Sequence, residues 1–301
     1  MEHQNIQRIV FSGGGIRGIA FLGTLLAMKD LWDIEPCNFQ SLQELVGCSI
    51  GALVALILCI KFKVSEMQAF LNSIDLSELA TVNVESVVTT FAMNDGHTLW
   101  ALTHQALQLK KIPVNITFAE LYKLTNIKLH IFVTDLGKAT SRQLSVDTDP
   151  HMSVAQAVVA SMSLPPMFSP IKYNTSLLCD GGLMNNFPIS NFPPEGTLGI
   201  RLAWYVDPNP PDTLLGYYTR VLACIQVSQK RMESLECERH GSQIILLDVG
   251  PMNTLHFDAS KSILEQILSI VLQGYRQTIK RISNSKTIFQ NNDPVLYLQN
   301  G

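Results

Sequence analysis

Three short glycine-bearing motifs hold a hydroxyl, a run of bare backbone amides and a carboxylate, the parts that acyl transfer requires. Gly47-Cys48-Ser49-Ile50-Gly51 is a G-x-S-x-G pentapeptide, a pattern that sets a serine on a sharp strand-to-helix turn with its hydroxyl exposed. Gly13-Gly14-Gly15-Ile16-Arg17-Gly18 is a glycine turn at a helix start, whose N–H groups can face one point. That makes an anion site for a phosphate or for the oxyanion of a tetrahedral intermediate. Leu177-Leu178-Cys179-Asp180-Gly181-Gly182, with Asn185-Asn186-Phe187-Pro188 just after it, puts a carboxylate at the end of an apolar run. Burial away from cations lifts an aspartate's pKa towards working pH, where it serves as a direct base for serine.

Each motif has a rival meaning. The glycine turn fits G-x-G-x-x-G, the dinucleotide fingerprint, which needs a second strand ending in an acid about 20 positions on. The available acids, Asp30, Asp33 and Glu35, follow the helix directly with no apolar strand before them, so that context is missing. An α/β-hydrolase order would cast Asp180 or Asp248 with His256. That fold sets several strands before its nucleophile, and only one precedes the elbow strand here. The histidines (His3, His97, His104, His130, His151, His240 and His256) sit in polar or irregular surroundings without a recognisable motif. Taken singly, Ser49 is a helix cap, Gly13–Gly15 a tight turn, Asp180-Gly-Gly a bend and Arg17 a solvated residue at a helix start. It is their order along one chain that points to catalysis.

The elements that must position them alternate between strand and helix. Short apolar runs predict strands at Arg8–Phe11, Leu45–Cys48, Lys128–Thr134, Ile171–Tyr173, Leu177–Cys179, Leu198–Ala203 and Ile244–Val249. Helical spacing predicts helices over Ile16–Trp32, after Ser49, over Ser153–Met162 and from Ala259 to about Ile282. Two or three polar helices are expected in Val64–Lys111, one capped by Asn94 or Asp95, and Thr117-Phe-Ala-Glu120 is a capping box for a short helix ending near Thr125. The Pro-rich stretch Val206–Asp212 reads as a surface loop. The expected fold is α/β, a single domain over 1–301 whose central, mostly parallel sheet is covered by helices on both faces. The motifs occupy about 6–200 of it, and a C-terminal strand and helices follow over 201–301.

Composition bounds the partners. With 22 Lys+Arg against 25 Asp+Glu and a net charge of −3, the chain lacks the basic footprint of a nucleic-acid binder. Six cysteines without a C-x-x-C pair argue against a zinc site or disulfide framework and for a reducing compartment. The N-terminus has no secretory h-region, and the uncharged stretch Leu45–Ile60, at 16 residues, is short for a membrane span. A cytoplasmic protein without a metal or other cofactor is expected. Its contact with membranes would be peripheral, through the apolar loops Phe187–Pro194 and Trp204-Tyr-Val-Asp-Pro, unless these are buried.

Together the motifs resemble the patatin-like phospholipases, serine lipid acyl hydrolases that use a Ser–Asp dyad. Ser12-Gly-Gly-Gly-Ile-Arg-Gly-Ile-Ala20 is similar to that family's oxyanion loop with its basic residue, Gly47–Leu53 to its elbow, and Ala160–Phe168 with Cys179–Pro188 to its aspartate block. The likeness runs from about Val10 to Pro188, more weakly near Gly274, and Cys48 departs from the threonine or other small residue often found there. It implies a patatin-like three-layer sandwich, Ser49 as nucleophile and Asp180 as base. The oxyanion would be held by Gly14 and Gly15, joined by Gly13 or by Ile50. Gly18, Gly47, Gly51, Gly181 and Gly182 would support these turns, while Arg17 holds the loop or meets a phosphate headgroup. The implied substrate is a phospholipid or another acyl lipid. The alternative is a catalytically weak lipid-binding module of the same fold.

Overall fold

Strand β1 (Arg8–Phe11) is buried along its whole length, as a parallel strand covered on both faces must be. In the computed structural model, which describes residues 3–74, 92–204, 210–211, 214–250 and 263–287, it lies between two parallel neighbours, β2 (Glu44–Cys48) and β7 (Thr197–Leu202). β3 (Lys128–Asp135) continues the parallel set beyond β2, and β8 (Gln243–Leu247) beyond β7. β4 (Thr140–Leu144), β5 (Ile171–Tyr173) and β6 (Ser176–Asp180) form an antiparallel margin on β3. The eight strands are linked in the order β5-β6-β3-β2-β1-β7-β8, with β4 also on β3. The architecture is the expected α/β one.

Register brings the motifs together. β3 pairs residues 128–132 with β2 and 133–135 with β6, while β4 occupies its other edge from 131 to 135. β2 and β6 therefore run head-on along one edge of β3. Cys48 ends opposite Phe132, and Asp180 opposite the next residue, Val133.

Alternation along the strands divides the core in two. Ile9, Phe11, Leu45, Ile131, Val133 and Ile200 face the larger core. Helices α1 (Ala20–Trp32), α2 (Ile50–Cys59), α3 (Val64–Asn72), α4 (His97–Leu109), α5 (Phe118–Thr125) and α6 (Val154–Met162) contribute to it, together with the end helix α8 (Ile263–Thr287). Val10, Val46, Cys48 and Phe132 face a smaller core closed by Phe187, Ile189, Phe192 and Cys237, the last on helix α7 (Leu214–His240). α8 crosses α1 at backbone contact distance: a Cβ on Gly274 would strike the Ala20 carbonyl, and one on Gly23 the carbonyl of Val271.

Several expectations shift. The first helix starts with a 3₁₀ turn (Gly15–Ile19) and becomes α-helical only at Ala20. Gly96 caps α4, while Asn94 and Asp95 accept from the amides of Gly96 and His97 just ahead of it. Thr117 and Glu120 form the reciprocal capping box. Residues 75–91, 205–209, 212–213 and 251–262 lie outside the described residues, and with them most of the Val206–Asp212 stretch and the expected start of the last helix. β4 and α7 were not expected from the sequence. β4 is almost wholly polar, while α7 turns Tyr217, Tyr218, Val221, Met232 and Leu235 outward and sets polar side chains such as Lys230 inward.

Candidate active site

The chain turns from β2 into α2 through Ser49, which has φ 52° and ψ −128°, a left-handed backbone that is costly for a residue with a Cβ. Gly47 and Gly51 make this turn possible. A Cβ on Gly47 would strike the Gly51 carbonyl, and one on Gly51 would come within 2.6 Å of Ser12 O. The Ser49 amide donates to Ser161 Oγ at 2.8 Å, and that hydroxyl donates to Phe132 O at 2.6 Å. The elbow is thus fastened to α6 and β3.

The head-on meeting of β2 and β6 sets Asp180 beside this turn. Ser49 Oγ donates to Asp180 Oδ2 at 2.6 Å. Asp180 Oδ1 accepts from the Gly182 amide at 2.7 Å, and the Asp180 carbonyl accepts from Thr134 Oγ1 at 2.9 Å. The carboxyl is 4% exposed. Burial pushes its pKa up to about 6, against the opposing pull of the Ser49 hydroxyl, the Gly182 amide and the Lys230 charge. A carboxylate near neutrality, bonded to a serine hydroxyl, is matched to taking that proton.

The glycine loop lies against the serine, since a Cβ on Gly13 would come 3.1 Å from Ser49 Cβ. The Gly13 amide donates to Asn186 O at 3.0 Å, so that donor is already committed. Among the described residues, the amides of Gly14, Gly15 and Ile50 meet no acceptor. Arg17 is buried behind the loop, with Nη1 donating to Ala203 O at 3.2 Å and Nε to Gly14 O at 3.5 Å. Of the two roles expected for it, these contacts belong to holding the loop. Gly18 packs under Ile50, Gly181 lies beside Phe132 O and Cys48 Sγ, and Gly182 touches the Asn186 side chain.

Cys48 is fully buried. Burial first, and Asp180 second, push its thiol well above the ordinary range, which keeps it protonated and unreactive. His130 and His240 are engaged elsewhere, with Gln143 and with Phe192 O and Ser242, while His256 lies outside the described residues. No group of three metal-ligating side chains occurs among the described residues, and none of their helices is long and apolar enough to cross a membrane. Phe187, Pro188, Ile189 and Phe192 are buried in the smaller core. These four side chains of the 187–194 loop face inward, while Pro193 is exposed. Sequence reasoning missed Thr134, which carries no motif, and Gln226 and Lys230 on α7, while Ser161 stood inside the quoted Ala160–Phe168 stretch without a role. Asn186 stood inside a quoted motif without a role.

A central sheet with a serine elbow at one strand end and a carboxylate at the next defines a class of α/β proteins. The patatin-like phospholipase family model matches residues 9–193, and the chain belongs to that family. It is 27% identical over 186 residues to "Probable lipid hydrolase 463L" of Invertebrate iridescent virus 6, covering 60% of this chain and 61% of that protein. It is 29% identical over 210 residues to protein R571 of Acanthamoeba polyphaga mimivirus, covering 67% of each. Among solved structures, VipD from Legionella pneumophila superposes with a TM-score of 0.64 at 18% identity, over 93% of this chain and 67% of that one. This last likeness is one of fold.

Proposed function

We propose that the protein is a serine lipid acyl hydrolase that cleaves carboxylic esters of phospholipids or related lipids through an acyl-enzyme. Membership of a family of phospholipases and the viral relative named a probable lipid hydrolase support lipid hydrolysis. The observation that carries the mechanism is the 2.6 Å hydrogen bond from Ser49 Oγ to a carboxylate whose pKa is about 6.

Ser49 Oγ attacks the ester carbonyl carbon as its proton passes to Asp180 Oδ2. The oxyanion forms beside the amides of Gly14, Gly15 and Ile50, where each donor removed costs about 3–4 kcal/mol of transition-state stabilisation. Collapse expels the alcohol oxygen, which takes the proton from Asp180 and leaves an acyl ester on Ser49. Water then gives a proton to Asp180 and attacks that ester. The fatty acid departs, and the proton returns to Ser49. Because Asp180 must be ionised to accept a proton, kcat/KM rises with pH through about 6.

The test is fatty-acid release from a panel of phospholipids, lysophospholipids and neutral glycerides by wild type and Ser49→Ala. Ser49→Ala is expected to lose about 10⁴-fold or more in kcat, and a fluorophosphonate to label the wild type at Ser49. Wild-type turnover by Ser49→Ala would remove the proposal. Lipid binding without labelling would leave a binding module instead.

A further inference from the structure

Helix α7 brings a buried charge up behind the Asp180 turn. Gln226 Nε2 donates to Gly182 O at 2.8 Å, which fastens the helix to the residue whose amide bonds Asp180. Lys230 follows four residues later, on the same helical face, with its side chain only 11% exposed. Its Nζ lies 3.6 Å from Glu233 Oε2, and Glu233 Oε1 lies 3.2 Å from Arg201 Nε. Two cations thus share one carboxylate, and the cluster carries a net positive charge in a low-dielectric setting, where charge acts at longer range. Glu233 also favours the charged form of Lys230 against burial, which by itself lowers the lysine's pKa.

The Ser49 hydroxyl and the Gly182 amide, hydrogen-bonded to Asp180, favour its ionised form most, and Lys230 adds a full charge to them. From β2 and β6 come the thiols of Cys48 and Cys179, both held neutral by burial. From β3 and α6 come the hydroxyl of Thr134 and the backbone of Ser163. Among the described residues, Lys230 is the charged group that bears on Asp180. A base needs a carboxyl lifted far enough to accept a proton, yet still ionised at working pH. Burial supplies the first condition, and the Ser49 and Gly182 hydrogen bonds together with the Lys230 charge supply the second.

We infer that Lys230, carried behind the Asp180 turn by the helix that Gln226 fastens to Gly182, is a positioning residue for the Ser49–Asp180 pair, its ammonium adding to the hydrogen bonds that favour the proton-accepting carboxylate while Glu233 sets how much of that charge Asp180 feels. The inference rests on the acyl-hydrolase chemistry proposed above. No contact with substrate is assigned to Lys230.

The test is the pH profile of kcat/KM on a soluble short-chain ester for wild type, Lys230→Met, Lys230→Arg and Glu233→Gln, with Ser49→Ala as the blank. Lys230→Met is expected to move the acid limb to higher pH, losing several-fold more activity at pH 6 than at pH 8. Lys230→Arg keeps the limb in place. Glu233→Gln, which unmasks Lys230, moves it the opposite way, to lower pH. A purely packing role would depress activity equally at all pH values. An unmoved limb in Lys230→Met, or a Glu233→Gln limb that stays put or moves up, overturns the inference. If Lys230→Met fails to fold, Glu233→Gln alone decides by the same criterion. Hydrolysis that survives Ser49→Ala would instead defeat the dyad itself.

Discussion

Strand β2 separates a half-buried carboxylate from a buried one, and the same sheet treats the two in opposite ways. Glu44 opens the strand; Ser49 and its partner Asp180 stand just past its far end. Glu44 receives Arg8 Nη2 at 2.5 Å and lies 2.9 Å from His130 Nε2, and these partners hold it at about pKa 2, with His130 the larger influence. Asp180 has a hydroxyl and an amide for partners, with Lys230 on α7 acting on it only through its charge, and burial wins, lifting it to about 6. Burial opposes ionisation at both ends, and only a paired cation reverses the outcome. One end of the sheet uses its carboxylate to hold strands together; the other leaves its carboxylate basic. The Ser49–Asp180 end, where catalysis is proposed, is where the parallel strands terminate, the usual place for a site in an open α/β sheet.

Asp180→Asn tests this contrast most severely. Activity should fall about 10⁴-fold, since the amide accepts no proton from Ser49. Stability should move the other way. A buried carboxyl raised from 3.8 to about 6 makes folding favour the protonated form. Its stabilising contribution is therefore present below pH 3.8 and is lost as pH rises to 6, which amounts to about 3 kcal/mol on ionisation. Asparagine removes that cost, so at pH 8 the variant should melt a few degrees above wild type by calorimetry. A lower Tm would mean that Asp180 is a structural anchor like Glu44.

Gly13→Ala sharpens the contrast from the loop side. Its new methyl would meet the Asn186 side chain and Ser49 Cβ, pushing the loop off the elbow. An ångström of misplacement costs about 10²-fold in rate, and steady-state kcat is expected to fall by that order. The pH of the acid limb should not move, because the surroundings of Asp180 are unchanged in charge. A shifted limb would tie the loop to the titration of Asp180 as well as to its geometry.

The two ends were unequally legible in the sequence. Ser49, Asp180 and the glycine loop could be read because acyl transfer requires special backbone, and glycine marks special backbone. The strands that carry them could be read because buried parallel strands are continuous apolar runs, as in Arg8–Phe11. The Arg8–Glu44–His130 cluster could not, since its members lie 36 and 86 residues from Glu44 with no spacing rule to join them. Helix α7 failed for another reason. It turns several of its large apolar side chains, Tyr217, Tyr218, Val221, Met232 and Leu235, outward, and Gln226, Lys230 and Glu233 look like a solvated face until the sheet is placed beneath them. Polar residues that support a site from behind leave no pattern of their own.

The smallest effect is expected at the quiet end. Glu44→Gln keeps the shape of the side chain but leaves Arg8 and His130 without a carboxylate, costing about 2 kcal/mol of stability at neutral pH after allowance for partial exposure. The direction with pH follows from the depressed pKa. The wild-type contribution is complete above 4.5 and disappears as pH falls towards 2. Urea midpoints of wild type and variant should therefore differ at pH 7 and converge through that window. Hydrolysis at pH 8 should change by less than about twofold, because the lost charge lies the length of a five-residue strand, about 16 Å, from Ser49. Midpoints that stay parallel down to pH 2 would show that Glu44 acts through shape, leaving Asp180 as the one carboxyl on this strand line whose protonation the fold senses.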